Sequence, residues 1–134
     1  MGSAQDSPGR DGLGELIGIE HQDAADGSAR ARVKVSDRIL QPHGLVHGGV
    51  YSALAETICS QATYEAVAGD GKVALGQSNN ATFLRPISDG HVNASAHVRH
   101  RGRSSWVWQV EVTDDDGRLC ALVQVVVAVR DLPE

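Results

Sequence analysis

No uninterrupted apolar run in this chain reaches the roughly 18 residues that a membrane-spanning helix needs, and its opening, MGSAQDSPGRDG, lacks the apolar core of a secretion signal. The expected compartment is therefore the cytoplasm, with no membrane partner. Cysteine is scarce: Cys59 and Cys120 are too few for a disulfide framework and are expected to stay reduced, packing as small apolar groups. Without a secretion signal, the acceptor patterns Asn80-Ala81-Thr82 and Asn93-Ala94-Ser95 read as coincidence. Positive charge is also short. The 12 Lys and Arg stand against 17 Asp and Glu, a formal net charge of −5, whereas phosphate-backbone binding needs clustered basic side chains; this argues against nucleic acid as the main partner. No acceptable ligand set accompanies the histidines, so neither a metal nor another cofactor is expected.

What is present, 134 residues with 41% hydrophobic and 22% charged content, fits one domain long enough to bury a core. Residues 1–12, rich in Gly, Ser, Asp and Pro, cannot bury enough apolar surface to offset ordering and read as a disordered tail, leaving 13–134 as the domain. Leu13 to Glu20 is a short element of either type. Ala29, Ala31, Val33 and Val35 alternate with polar partners, the period of a half-buried strand, and Ser36 to Val46 is a connection around Pro42. A helix is predicted from about His47 to Ala68, with Val50, Leu54, Ile58 and Ala62 four apart and Gly69-Asp70-Gly71 as its stop. Four strand-like stretches follow, Val73 to Leu84, His91 to His100, Ser104 to Thr113 and Leu119 to Arg130, separated by turn-forming residues. Strand, helix, then consecutive hairpins predicts class α+β, an antiparallel sheet carrying one long helix on a single face.

The stretch QPHGLVHGGVYSALAETICSQAT, Gln41 to Thr63, concentrates the chemistry. Its glycines permit tight turns and close approach, and the helix start leaves N–H groups that suit an oxyanion or a polarised carbonyl. Glu56 is the only acidic residue between Asp37 and Glu65. It lies eight residues beyond Gly48, about 12 Å along a helix at ~1.5 Å per residue, so one carbonyl cannot meet both groups of one chain. A second copy with its helix antiparallel across a two-fold axis would join each Glu56 to the other's Gly48. The alternative is a solvated Glu56 beside a plain helix cap. His47 is read as a cap or ligand-orienting group. His97 and His100, three apart on a strand, are expected on opposite faces at the surface, and Trp106 and Trp108 on one face in a core or interface. Cys59 neighbours Glu56, whose charge would raise its pKa, and Asp114 to Asp116 is a turn. Arg85, Arg101, Arg103 and Arg130, near strand ends with Ser104 and Ser105, read either as solvated surface or as a grip for a phosphate-bearing ligand.

Through LVHGGVYSALAE (Leu45 to Glu56), GQSNNATFLRPISDGHV (Gly76 to Val92), SSWVWQVEV (Ser104 to Val112) and DDDGRLCA (Asp114 to Ala121), the sequence resembles the hotdog-fold acyl-CoA thioesterases. The nearer likeness is to the Arthrobacter-type 4-hydroxybenzoyl-CoA thioesterases of the phenylacetic-acid-degradation thioesterase branch, and it covers about Gln41 to Arg130. It implies a curved antiparallel sheet wrapped around the helix, homodimers that pair into homotetramers, and acyl-CoA as substrate. Glu56 then matches the carboxylate that acts as nucleophile or general base, and Gly48 the residue whose N–H polarises the thioester carbonyl. Gln41 and His47 match neighbouring positioning residues, while Ser60 stands where the Arthrobacter type has a Thr. Arg85, Ser104 and Arg130 fall where that family contacts CoA, and Arg103 replaces a small hydroxyl residue there. A non-catalytic acyl-CoA sensor is the alternative from another class; a hotdog hydratase would pair Asp with His in its own motif, a pairing absent here.

Overall fold

The computed structural model describes residues 12–133. Period-two burial builds most of it. In β6 (Leu119–Asp131) Val123, Val125, Val127 and Val129 point inward while Gln124 is exposed; in β5 (Ser105–Thr113) Trp106, Trp108, Val110 and Val112 do so against exposed Gln109 and Glu111. β4 (His91–Arg101) contributes Val92, Ala94 and Ala96 to the same face, and β2 (Ser28–Lys34) contributes Ala31 and Val33. With β1 (Ile19–Gln22) and β3 (Lys72–Phe83) they form a six-stranded sheet of order β1-β2-β4-β5-β6-β3, every pairing antiparallel. Register shifts between Gly76 and Ser78, Val98 and His100, and Val112 and Thr113 interrupt the ladders, and such bulges add bend and twist.

The sheet curls around α2 (Gly48–Val67), as the resemblance implies. Val50, Leu54 and Ile58 enter the core with Ala55 and Cys59 between them, so part of the buried face is short. The helix ends at Val67; a 3-10 turn, Ala68–Asp70, then leads to Gly71, whose φ of 74° is the left-handed conformation expected of the stop. Thr63 is the only fully polar side chain in the core of the described residues. It is satisfied twice, accepting from Trp108 Nε1 at 2.9 Å and donating to the Cys59 carbonyl at 2.7 Å, which ties helix to sheet.

Some expectations are corrected. Leu13 to Glu20 divides into a short helix α1 (Leu13–Ile17) and the start of β1, because Gly18 at φ 82° turns the chain between them. The connection before α2 contains a 3-10 turn, Asp37–Ile39, and a bridge between Leu40 and Val46. His97 and His100 are exposed but share one face, since they pair with Gln109 and Val107, two residues apart on β5; the bulge at Arg99 resets the alternation. Residues 1–11 of the expected tail lie outside the described residues.

At the sheet margins the strands differ. β1 is four residues long, whereas β3 is twelve and exposes Leu75, Gly76, Gln77 and Ser78 along an edge unpaired among the described residues, the kind of edge that accepts a further strand.

Replacing Thr63 by Val would bury the Trp108 N–H without a partner. The substitution should cost about 1–3 kcal/mol in urea unfolding, and Thr63→Ser, which keeps the acceptor, should recover most of it.

Candidate active site

Residues 41–47 form a latched turn. The Gln41 N–H donates to the Leu45 carbonyl at 2.7 Å, and Gly44, at φ 91°, closes it by donating to the Gln41 carbonyl at 2.9 Å. Val46 donates to the Ile87 carbonyl at 2.8 Å and His47 to the Ile39 carbonyl at 2.9 Å, fixing where the helix begins.

A helix start has four N–H groups without intrahelical partners. His47 N–H is used in that latch, Gly49 N–H donates to His47 Nδ1 at 2.8 Å, and Val50 N–H donates to the His47 carbonyl at 2.9 Å. Gly48 N–H alone has no acceptor among the described residues. It therefore sits at the positive end of the α2 dipole, available to a ligand oxygen. His47 is thus the helix cap, and because its Nδ1 accepts, the ring proton of the neutral form lies on Nε2. Gly48 is required for room rather than for backbone freedom: a Cβ there would lie 2.9 Å from Phe83 Cζ.

Two turns along the same face, the exposed Glu56 carboxylate lies against β3. A Cβ on Gly76 would stand 3.0 Å from Glu56 Oε2, and Asn79 Nδ2 is 3.5 Å from Oε1, while also donating to the Ser52 carbonyl at 2.9 Å. A recess of about 350 Å³ opens here, lined by Leu13, Ser52, Ala53, Glu56, Thr57 and Asn79. Leu13, Gly76 and Asn79 are absent from the sequence-based set. Their only sequence signal is weak: an amide and a glycine within a strand-like run, and a leucine ahead of the first strand.

Ser60 is half-buried one turn beyond Glu56, and Gln41 is half-buried in the latched turn. Cys59 is inert: burial first, then the Glu56 charge, pushes its thiol far above the ordinary value. Burial acts in the same direction on Cys120.

Of the four residues expected at the CoA end, Ser104 and Arg130 are brought together, Arg130 Nη1 donating to the Ser104 carbonyl at 2.7 Å. Arg103 is the exposed neighbour of Ser104. Arg85 is not with them in one chain. It lies beyond Phe83, which pairs with Ala121, whereas Arg130 pairs with Val73, so about 30 Å of strand at ~3.3 Å per residue intervenes. No group of three or more His, Cys, Asp and Glu able to hold a metal occurs among the described residues.

Residues 43–121 match the family model of the thioesterase superfamily. The proofreading thioesterase EntH of Cronobacter turicensis is 37% identical over 117 residues, 87% of this chain and 85% of that protein. A crystal structure of a thioesterase from Pseudomonas aeruginosa superposes with a TM-score of 0.86 at 35% identity, covering 90% of this chain and 86% of the other. A thioesterase from Haemophilus influenzae gives 0.85 at 36% identity, covering 90% and 84%.

His47→Ala removes the cap acceptor and should lower stability by about 1 kcal/mol in thermal or urea unfolding, with His47→Asn, which can still cap, close to the parent. Raised thiol pKa and full burial mean little thiolate and no access, so dithiobis-nitrobenzoate at about pH 8 should leave Cys59 and Cys120 of the native protein unreacted over minutes and titrate both after denaturation.

Proposed function

Because the chain belongs to the thioesterase superfamily and is a thioester hydrolase, we propose that it hydrolyses an acyl-CoA or aroyl-CoA to CoA and a carboxylic acid in a site shared by two copies, acting in the cytoplasm without metal or cofactor. The observation that carries this reading is the donor inventory at the start of α2, where Gly48 N–H remains as the free group. The thioester carbonyl oxygen accepts from it, and the helix dipole stabilises the negative charge that grows on that oxygen as the carbon is attacked. Glu56 of the partner supplies the attack. It either takes a proton from a water that adds to the carbonyl carbon, that proton passing to the sulfur as the C–S bond breaks and CoA leaves as the thiol, or adds to the carbon itself, expelling the CoA thiolate and leaving a mixed anhydride. Water then hydrolyses the anhydride, releasing the acid, restoring the Glu56 carboxylate and supplying the thiol proton.

Two features support a shared site. Gly48 and Glu56 stand about 12 Å apart on one helix at ~1.5 Å per residue, too far for one carbonyl. The unpaired twelve-residue edge of β3 offers a second copy an antiparallel partner, and this pairing lays the two α2 helices antiparallel beneath a continuous sheet. The same pairing carries Arg85 toward the partner's Arg130 and the partner's Ser104, assembling across the dimer a cationic end suited to the CoA phosphates. His47 holds the helix start, Gln41 the turn before it, and Ser60 the wall beyond Glu56. Dimers pair again into a tetramer, and the functional type that the chain resembles is the Arthrobacter-type aroyl-CoA hydrolase.

Thiol release from benzoyl-CoA, phenylacetyl-CoA and hexanoyl-CoA tests the activity, a sensor being the outcome if all bind and none is cleaved. Glu56→Gln should lower kcat roughly 10²- to 10⁴-fold while the oligomer stays folded; a folded variant with full activity would remove Glu56 from the mechanism. Mixing Glu56→Gln with Gly48→Val in equal amounts should restore about a quarter of wild-type activity, since half the dimers are mixed and each has one intact site. No recovery on subunit exchange would place both groups in one chain's site.

A further inference from the structure

We propose that Asn79 is the positioning residue of the Glu56 carboxylate, an inference that rests on the role of Glu56 proposed above. Asn79 comes from β3, 23 residues from Glu56 in the chain, and its amide reaches the helix at two points. One N–H of Nδ2 donates to the Ser52 carbonyl at 2.9 Å. That carbonyl is the one whose intrahelical partner is the N–H of Glu56 itself, four residues on. The second hydrogen of the same nitrogen is directed to Glu56 Oε1 at 3.5 Å, the outer limit of a hydrogen bond and a distance that can shorten when substrate closes the site. Asn79 thus ties the helix backbone at Ser52 and the side chain of Glu56 to β3.

The amide cannot be turned over without loss, because its oxygen would then face the Ser52 carbonyl. In the orientation that remains, Asn79 Oδ1 is buried with no hydrogen-bond partner among the described residues. A buried acceptor without a donor is costly and uncommon, so the contacts made by Nδ2 are the reason for an amide here. Gly76 completes the seat. The carboxylate occupies the space that a side chain at Gly76 would take, a Cβ there lying 3.0 Å from Oε2. Glu56, otherwise a flexible and exposed side chain, is held on one side by the Asn79 amide and on the other by bare strand backbone. Its attack or proton transfer then starts from a fixed position.

The test uses the full-length oligomer and whichever of the three acyl-CoAs turns over fastest. Asn79→Ala should lower kcat roughly 10- to 100-fold with KM changed by less than about twofold, because what is lost is the placement of the reacting group and not substrate binding. Asn79→Asp keeps the shape, removes the donor and sets a like charge beside Glu56. Its acid limb in the kcat–pH profile should therefore move to higher pH, which reports that position 79 lies against the reacting carboxylate, while the fall in kcat at unchanged KM is the readout that a purely structural amide would not give. Should Asn79→Ala fail to fold, the near-isosteric Asp variant carries the test alone. Wild-type kcat and an unmoved profile in a folded Asn79 variant, with Glu56→Gln inactive, overturn the positioning role and leave the role of Glu56 intact. Full activity in Glu56→Gln overturns both.

Discussion

The close seat of α2 on the curled sheet governs the rest of the molecule. Ala55 and Cys59 are short side chains at the buried surface, between Val50, Leu54 and Ile58, and the valines and tryptophans of β5 and β6 fill the concave face that receives them. Hydrophobic burial of this kind is non-directional, so it sets proximity and leaves orientation to polar contacts. Thr63 supplies one such contact by joining the Trp108 indole to the helix backbone. Because the helix lies near β3, Phe83 can rest on Gly48, and Gly76 with Asn79 can touch Glu56. A bulkier residue at Gly48 or Gly76 would have to displace the ring or the carboxylate.

From that packing follows a division of labour along one face of the helix. His47 spends its own ring, carbonyl and N–H on three of the local hydrogen bonds, which isolates the Gly48 N–H as the available donor. Glu56 lies two turns away in a recess walled by Leu13, Ala53 and Thr57. A donor at the positive end of a dipole and a carboxylate well removed from it are complementary in chemistry, yet the rigidity of a helix keeps them apart. The open edge of β3 is the feature through which a second copy would resolve that separation.

Most of the regular structure was legible in the residues. Alternation in 119–130 and 104–113 reports strands buried on one face, and the periodic apolar set from Val50 onward reports the helix, because both patterns arise from local geometry. Short elements with no buried residue were harder: α1 has five residues and β1 four, too few for a period to show, whereas β3, also without a buried residue, runs for twelve. The shared face of His97 and His100 was misread for a different reason. A bulge is fixed by how two strands pair, and one strand's sequence does not carry that register.

The candidate site divides along the same line. Sequence by itself determined which groups the Gln41 to Thr63 stretch holds: glycines at a helix start, a histidine beside them and an isolated acid eight residues on, all set by local spacing. It also determined that Gly48 and Glu56 of one helix are too far apart to act together. Only the tertiary structure decided which N–H remains free, that Asn79 and Gly76 seat the carboxylate, and that Arg85 lies at the far end of β3 and β6 from Arg130. The reason is that covalent spacing fixes distances along a helix or strand, whereas contacts between residues distant in the chain depend on sheet curvature and register, which arise only once all six strands have closed around the helix.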